Sequence, residues 1–189
     1  IVGTGRIGAL AARAMRHRFD CTVLAHDRYQ SPELLAMGVI YTDIDDLVAR
    51  ADVISLHCPL TPETRHVVDA AAIERAKPGF LLINTSRGAL IDAEAVIAGL
   101  KSGKIGGVAL DVYEQEADLF FEDLSSEIIQ DDVFQRLLTF PNVLVTGHQA
   151  FFTEEALTAI AATTLANIAE EEAGRPSPNR VSAEAVAGR

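Results

Sequence analysis

Arg87, Glu116 and His148 each follow a short apolar run, at 80–83, 107–110 and 143–146 respectively. Histidine changes charge near neutral pH, so it exchanges protons under physiological conditions. A carboxylate beside it stabilises the imidazolium and fixes the ring. A guanidinium presents a planar fork that matches another carboxylate bidentately. Proton donor, partner and anchor together suit reduction of a carbonyl next to an acid group. Singly, each residue has a plain structural explanation: a surface charge, a solvated acid, a hydrogen-bonded histidine. Their succession at strand ends of one sheet, where α/β folds place ligands, singles them out.

A second constellation lies at the start. Gly3-Thr4-Gly5-Arg6-Ile7-Gly8 follows the apolar pair Ile1-Val2, and a strand-like run at 22–26 ends at Asp27. That places an acid about 20 residues beyond the glycines, as a βαβ unit binding a dinucleotide requires. Gly3 permits the tight turn, Gly5 close approach of a pyrophosphate, and Gly8 close helix–strand packing. The backbone N–H groups of Arg6 and Ile7 face the phosphates at a helix N-terminus. Asp27 accepts hydrogen bonds from ribose hydroxyls and repels a 2′-phosphate, which favours NAD over NADP; Arg28 tempers that preference. Cys21 and Cys58 form no CxxC pair, and no metal site is expected.

These residues need a scaffold that collects strand ends. Apolar runs at 22–25, 53–56, 80–83, 107–110 and 143–146 alternate with helical patterns at 7–18, 44–50, 70–76 and 93–102. This predicts an α/β fold: a Rossmann-like, doubly wound parallel sheet covered on both faces. Asp43, Asp69 and Asp92 stand where helix N-caps belong. The acidic stretch 116–138 breaks the rhythm as a surface excursion ending in a short helical run at 133–138. From Thr153 to Glu172 runs one long helix, with Leu157, Ile160, Ala161, Thr164, Leu165 and Ile168 on one stripe that needs a partner. The expected organisation is a NAD-binding domain at 1–148 with a truncated first strand, a C-terminal helical segment at 149–180, and a poorly ordered tail at 181–189.

With 189 residues, 49% of them hydrophobic, the chain can bury a sizeable core. Its net charge of −11 argues against a nucleic-acid partner. No apolar run is long enough to span a membrane. Two cysteines fit a reducing, cytoplasmic setting better than a disulfide framework.

Across five separated blocks the chain resembles the D-isomer-specific 2-hydroxyacid dehydrogenase family. The blocks are 2–8, Ser55-Leu56-His57-Cys58-Pro59-Leu60-Thr61, 83–88, 107–116 and 141–153. The resemblance is closest to the family's bacterial fermentative D-lactate branch. It implies that Arg87 binds the substrate carboxylate, His148 is the acid/base and Glu116 its partner. It also implies cofactor contacts at Arg6, Ile7, Asp27, Cys58, Pro59, Thr64, Thr85, Ser86, Arg87 and Asp111, with Asp111 near the nicotinamide. His57 is expected only to pack. Many members carry proline before the catalytic histidine where this chain has Gly147, and the stretch 117–123 likewise points to the lactate enzymes. Formate enzymes have glutamine at the position of Glu116. The implied reaction is pyruvate to D-lactate with NADH; another 2-oxoacid, or a non-enzymatic NAD-sensing corepressor, are the alternatives. The family's substrate domain is absent from this chain. The long C-terminal helix belongs against that domain, so the isolated chain is expected to be weakly active or inactive, and the full-length form a homo-oligomer.

Overall fold

The computed structural model describes residues 1–116, 119 and 128–182. It divides into two units, Ile1–His148 and Gln149–Arg189. The first unit carries strands β1 (Leu24–Ala25), β2 (Ile40–Tyr41), β3 (Val53–Leu56), β4 (Phe80–Asn84), β5 (Ile105–Leu110) and β6 (Val143–Val145). Its helices are α1 (Arg6–Arg18), α2 (Pro32–Ala36), α3 (Ile44–Arg50), α4 (Ala70–Arg75), α5 (Ala93–Lys101) and α6 (Asp132–Leu138). All strand pairings are parallel: β1 with β2, and β3-β4-β5-β6 in that order. Val2 joins the two sets, with parallel bridges to His26 on one side and Leu56 on the other. The chain thus leaves Val2 toward β1 and later returns to its other flank at β3. That reversal opens a crevice at the carboxyl ends of the strands, the doubly wound arrangement.

Alternation along the strands decides the core. Ile54, Leu56, Phe80, Leu82, Val108 and Leu110 are buried with Leu47 and Val48 of α3, Ile73 of α4, Val96 of α5, and Phe134 and Leu137 of α6. On the opposite face Val53 and Leu81 are paired neighbours, Ile83 pairs with Ala109, and Ala109 pairs with Leu144. Val53, Leu81 and Leu144 remain 48%, 45% and 64% exposed, so the expectation of cover on both faces holds for only part of the sheet. A small second cluster packs Ala12 of α1 against Val23, Ala25, Leu34 and Val39.

Asp43, Asp69 and Asp92 accept hydrogen bonds from the N–H groups of Asp46, Ala72 and Ala95 as expected, each worth about 1 kcal/mol. The run at 22–25 is strand only at Leu24–Ala25, because only that pair lies opposite β2. α2 and β2 were not foreseen; they are too short to show a period. The second unit holds α7 (Glu154–Glu172), capped by Thr153, whose hydroxyl accepts from the Ala156 N–H. None of its residues is buried, the expected stripe included. The stretch 117–123 lies outside the described residues except Leu119, and the tail lies outside them beyond 182.

Candidate active site

The glycine turn is forced by close approach. Gly3 has φ +90°, and a Cβ there would lie 2.5 Å from the Cys58 nitrogen; a Cβ on Gly8 would lie 1.9 Å from the Gly3 oxygen. Gly5 N-caps α1 with no side-chain cap, no acidic residue follows in the first turn, and a Cβ on it would meet nothing within 4 Å. Arg6 and Ile7 are exposed beside it. An uncapped helix N-terminus facing open space suits an anionic phosphate.

Asp27 is pinned beside this turn. Its Oδ2 accepts from the Thr4 N–H and hydroxyl, the latter at 3.0 Å, and Oδ1 accepts from the Tyr29 N–H at 3.2 Å. The Tyr41 hydroxyl donates to the Thr4 oxygen at 2.9 Å, which turns the Thr4 proton toward Asp27. Partial burial pushes the Asp27 carboxyl up, but the hydrogen bonds from Thr4, Tyr29 and Arg28 outweigh it and hold it below the usual range. A fixed carboxylate and an uncapped N-terminus fit the ribose and pyrophosphate of NAD.

The carboxyl ends of β3 and β4 frame an open cleft of about 590 Å³, lined by His57, Cys58, Pro59, Leu60, Ser86 and Arg87. The Ser86 hydroxyl donates to the Cys58 carbonyl at 2.7 Å and holds the two strand ends together. Burial pushes the Cys58 thiol up, so it stays protonated and unreactive. Burial pushes the His57 pKa down, and His57 Nε2 lies 2.9 Å from the Ser55 hydroxyl. The Thr64 hydroxyl closes its own loop, donating to the Pro59 carbonyl at 2.7 Å and accepting from the Thr61 N–H at 2.8 Å. Thr85 is exposed at the end of β4.

Arg87 is placed from below by Asn84, which is fully buried. Asn84 continues the inward register of Phe80 and Leu82, so its amide ends the buried face of β4. Asn84 Nδ2 donates to the Arg87 carbonyl at 2.8 Å, and its Oδ1 accepts from the Ser86 N–H at 3.1 Å. Its own carbonyl accepts from the Asp111 N–H at 3.0 Å, which ties β4 to β5 at their ends. Asp111 is buried, and Oδ1 accepts from the Thr146 hydroxyl.

Glu116 and His148 meet directly, with His148 Nδ1 2.9 Å from Glu116 Oε1. A carboxylate only accepts, so Nδ1 carries the proton. Glu116 Oε2 accepts from the Tyr113 N–H at 3.0 Å, which fixes the carboxylate on both sides. The Tyr113 hydroxyl donates to Asp131 at 2.8 Å; burial and this acid push the phenol pKa up. His148 has φ +53°, a conformation strained for a residue with a Cβ. Its N–H donates to the Asp111 carbonyl at 2.7 Å, which holds that conformation.

Arg87, Glu116 and His148 thus stand at the ends of neighbouring strands, with Glu116 and His148 paired. Sequence reasoning missed Asn84, Tyr113 and the Thr4–Tyr41 link. Asn84 had a signal, a lone amide closing an apolar run; Tyr41 had none. Among the described residues no cluster of His, Cys, Asp and Glu could hold a metal ion, and no helix is long and apolar enough to cross a membrane.

The profile of the family described as D-isomer specific 2-hydroxyacid dehydrogenase, NAD binding domain, matches residues 1–150. The chain is 52% identical over 181 residues to a D-lactate dehydrogenase of Escherichia coli, covering 96% of this chain and 55% of that protein. It is 55% identical over 168 residues to 2-hydroxyacid dehydrogenase A of Aspergillus oryzae, covering 89% and 48%. Its fold matches the pyruvate reductase of Chlamydomonas reinhardtii with TM-score 0.90 and 46% identity, over 94% of this chain and 54% of that one. It matches an Aquifex aeolicus D-lactate dehydrogenase complexed with NAD and lactic acid with TM-score 0.84 and 34% identity, over 92% and 52%. Such relatives come from bacteria and eukaryotes alike, so the likeness does not single out a bacterial source. The chain spans about half the length of the curated relatives it matches. It belongs to the D-isomer-specific 2-hydroxyacid dehydrogenases, of which it carries the NAD-binding domain.

Proposed function

We propose that the protein reduces a small 2-oxoacid, pyruvate first among them, to the D-2-hydroxyacid with NADH. The observation that carries this is the Glu116–His148 pair, held by Tyr113 and Asp111 at the ends of β5 and β6, next in the sheet to β4 and Arg87. Gly3, Gly5, Arg6, Ile7 and Gly8 hold the cofactor's pyrophosphate and Asp27 its adenosine ribose. Cys58, Pro59, Thr64, Thr85, Ser86 and Arg87 contact it, and Asp111 lies toward its nicotinamide. When bound, the cofactor supplies the hydride. Arg87 grips the substrate carboxylate with its fork, orients the 2-oxo group and polarises it. Nδ1 of His148 is committed to Glu116, so the proton given to the carbonyl oxygen leaves from Nε2. Glu116 stabilises the imidazolium and keeps the ring aimed. Names of relatives such as a pyruvate reductase and D-lactate dehydrogenases support pyruvate as substrate. The α7 stripe finds its cover on a substrate domain, the full-length protein is a cytoplasmic homo-oligomer, and turnover needs more than this chain.

The test is NADH oxidation by the full-length protein with pyruvate, chiral analysis of the product, and the His148→Gln variant. D-lactate is the expected product. The variant should lose about 10²–10⁴ in kcat, the size of a general-acid contribution, and keep its NADH affinity. Turnover only with a larger 2-oxoacid would replace the substrate. NADH binding without turnover of any 2-oxoacid would leave a sensor in place of an enzyme.

A further inference from the structure

Two strand-end loops reach toward each other over the cofactor crevice. Arg28 follows Asp27 just past β1, and its Nη2 lies 3.4 Å from Oε2 of Glu63, in the loop after β3. Both side chains are largely exposed, and a pair of this kind adds little to stability. The geometry around it decides what else it does. Asp27 is immobilised by Tyr29 and by Thr4, which Tyr41 holds in turn, so its negative charge has one position. Glu63 stands in a loop of fixed shape, because the Thr64 hydroxyl bonds to both Pro59 and Thr61. A hydrogen bond from the Thr61 side chain, with others, holds the Glu63 carboxyl below its usual range, so it is charged throughout the neutral region. Arg28 is the most exposed member, a long cation next in sequence to the residue placed at the ribose.

An arginine in that position is chemically ambivalent. A guanidinium recognises a phosphate through paired, charge-assisted hydrogen bonds, and a ribose 2′-phosphate is what separates NADP from NAD. Left to itself, Arg28 would offset the repulsion that Asp27 exerts on that phosphate. We infer that Glu63 is a specificity-determining residue for the cofactor: it draws the Arg28 guanidinium to the loop after β3, denies it to a 2′-phosphate, and so preserves the preference for NADH over NADPH. This rests on Asp27 facing the ribose. Asp27 supplies the repulsion, and Glu63 keeps the neighbouring cation from cancelling it.

The test is fluorescence titration of the purified full-length protein with NADH and with NADPH, at low and at physiological ionic strength. The variants are Glu63→Gln, Arg28→Ala, the two combined, and Asp27→Asn. Glu63→Gln should tighten NADPH by about three- to fivefold, the size of one exposed ion pair, and leave NADH within about twofold. The gain should vanish in the Arg28→Ala background and shrink as salt rises. No gain, or a gain that survives without Arg28, overturns the inference; in the second case Glu63 repels the phosphate directly. Asp27→Asn tests the underlying placement separately: an unchanged NADH to NADPH ratio there removes Asp27 from the ribose whatever Glu63 does.

Discussion

Asn84 has both ends of its amide committed, one to the Arg87 carbonyl and the other to the Ser86 N–H. Replacing it by alanine removes both bonds, at about 0.5–1.5 kcal/mol each, leaves the Arg87 carbonyl only the Leu90 N–H, and frees the turn that aims Arg87. Asn84→Ala should therefore lower the thermal midpoint and raise KM for the 2-oxoacid about tenfold, with NADH affinity within about twofold. Steady-state kinetics beside a thermal melt check this; an unchanged KM would show that Arg87 is aimed by other contacts. At this scale the sequence was legible where chemistry follows from residue type and spacing. Asp27, Arg87, Glu116 and His148 stand out because charge and titration are properties of the side chain alone. The role of Asn84 depends on which face of β4 it lies on and on a turn three residues away. The link from Tyr41 to Thr4 crosses 37 positions of sequence and leaves no local mark.

Between elements, the contact that matters most for the site is Gly88 against the segment after β5. A Cβ on Gly88 would lie 2.1 Å from the Tyr113 carbonyl carbon and 2.2 Å from the Glu114 nitrogen. Both atoms are backbone, so relief requires moving the segment that ends in Glu116. Arg65 and His66 clamp the same segment from another side, each bonded to Glu114. Gly88→Ala should cost about 1–3 kcal/mol, as overpacking does, and lower kcat as Glu116 shifts from His148. Denaturant unfolding paired with kcat checks both effects; full activity would mean that the segment moves without disturbing the pair. Strands β3 to β6 and helices α1, α3, α4 and α5 could be read from the sequence, because each is long enough to show a period or is announced by a cap. β2, with two residues, shows neither; α2, with five, is too short for a period, and its cap, Ser31 before Pro32, was passed over. The left-handed backbone of His148 was invisible too, since it is imposed by the Asp111 carbonyl from the neighbouring strand end.

For the whole molecule, the sheet's uneven cover should bear on behaviour in solution. Strand sequences rich in valine, leucine and isoleucine read as buried on both sides, and nothing within a strand tells which apolar position is left open. In the four-stranded sheet β3 to β6, Val53, Leu81 and Leu144 are left exposed, on the face opposite the core. At neutral pH the net charge of −11 keeps copies of the chain apart. That repulsion fades as the carboxylates titrate toward the isoelectric point near 4.8, while the attraction between apolar rows does not depend on pH. Light scattering should rise steeply as the chain is brought from pH 7 toward 5. It should rise less for Leu144→Gln, which removes apolar surface without altering charge; equal scattering by both proteins would clear this row of blame. The second face of the sheet thus adds to the chain's colloidal limits: its shelf life, its usable concentration and the buffers in which it stays clear depend in part on three strand side chains, beside the uncovered residues of α7.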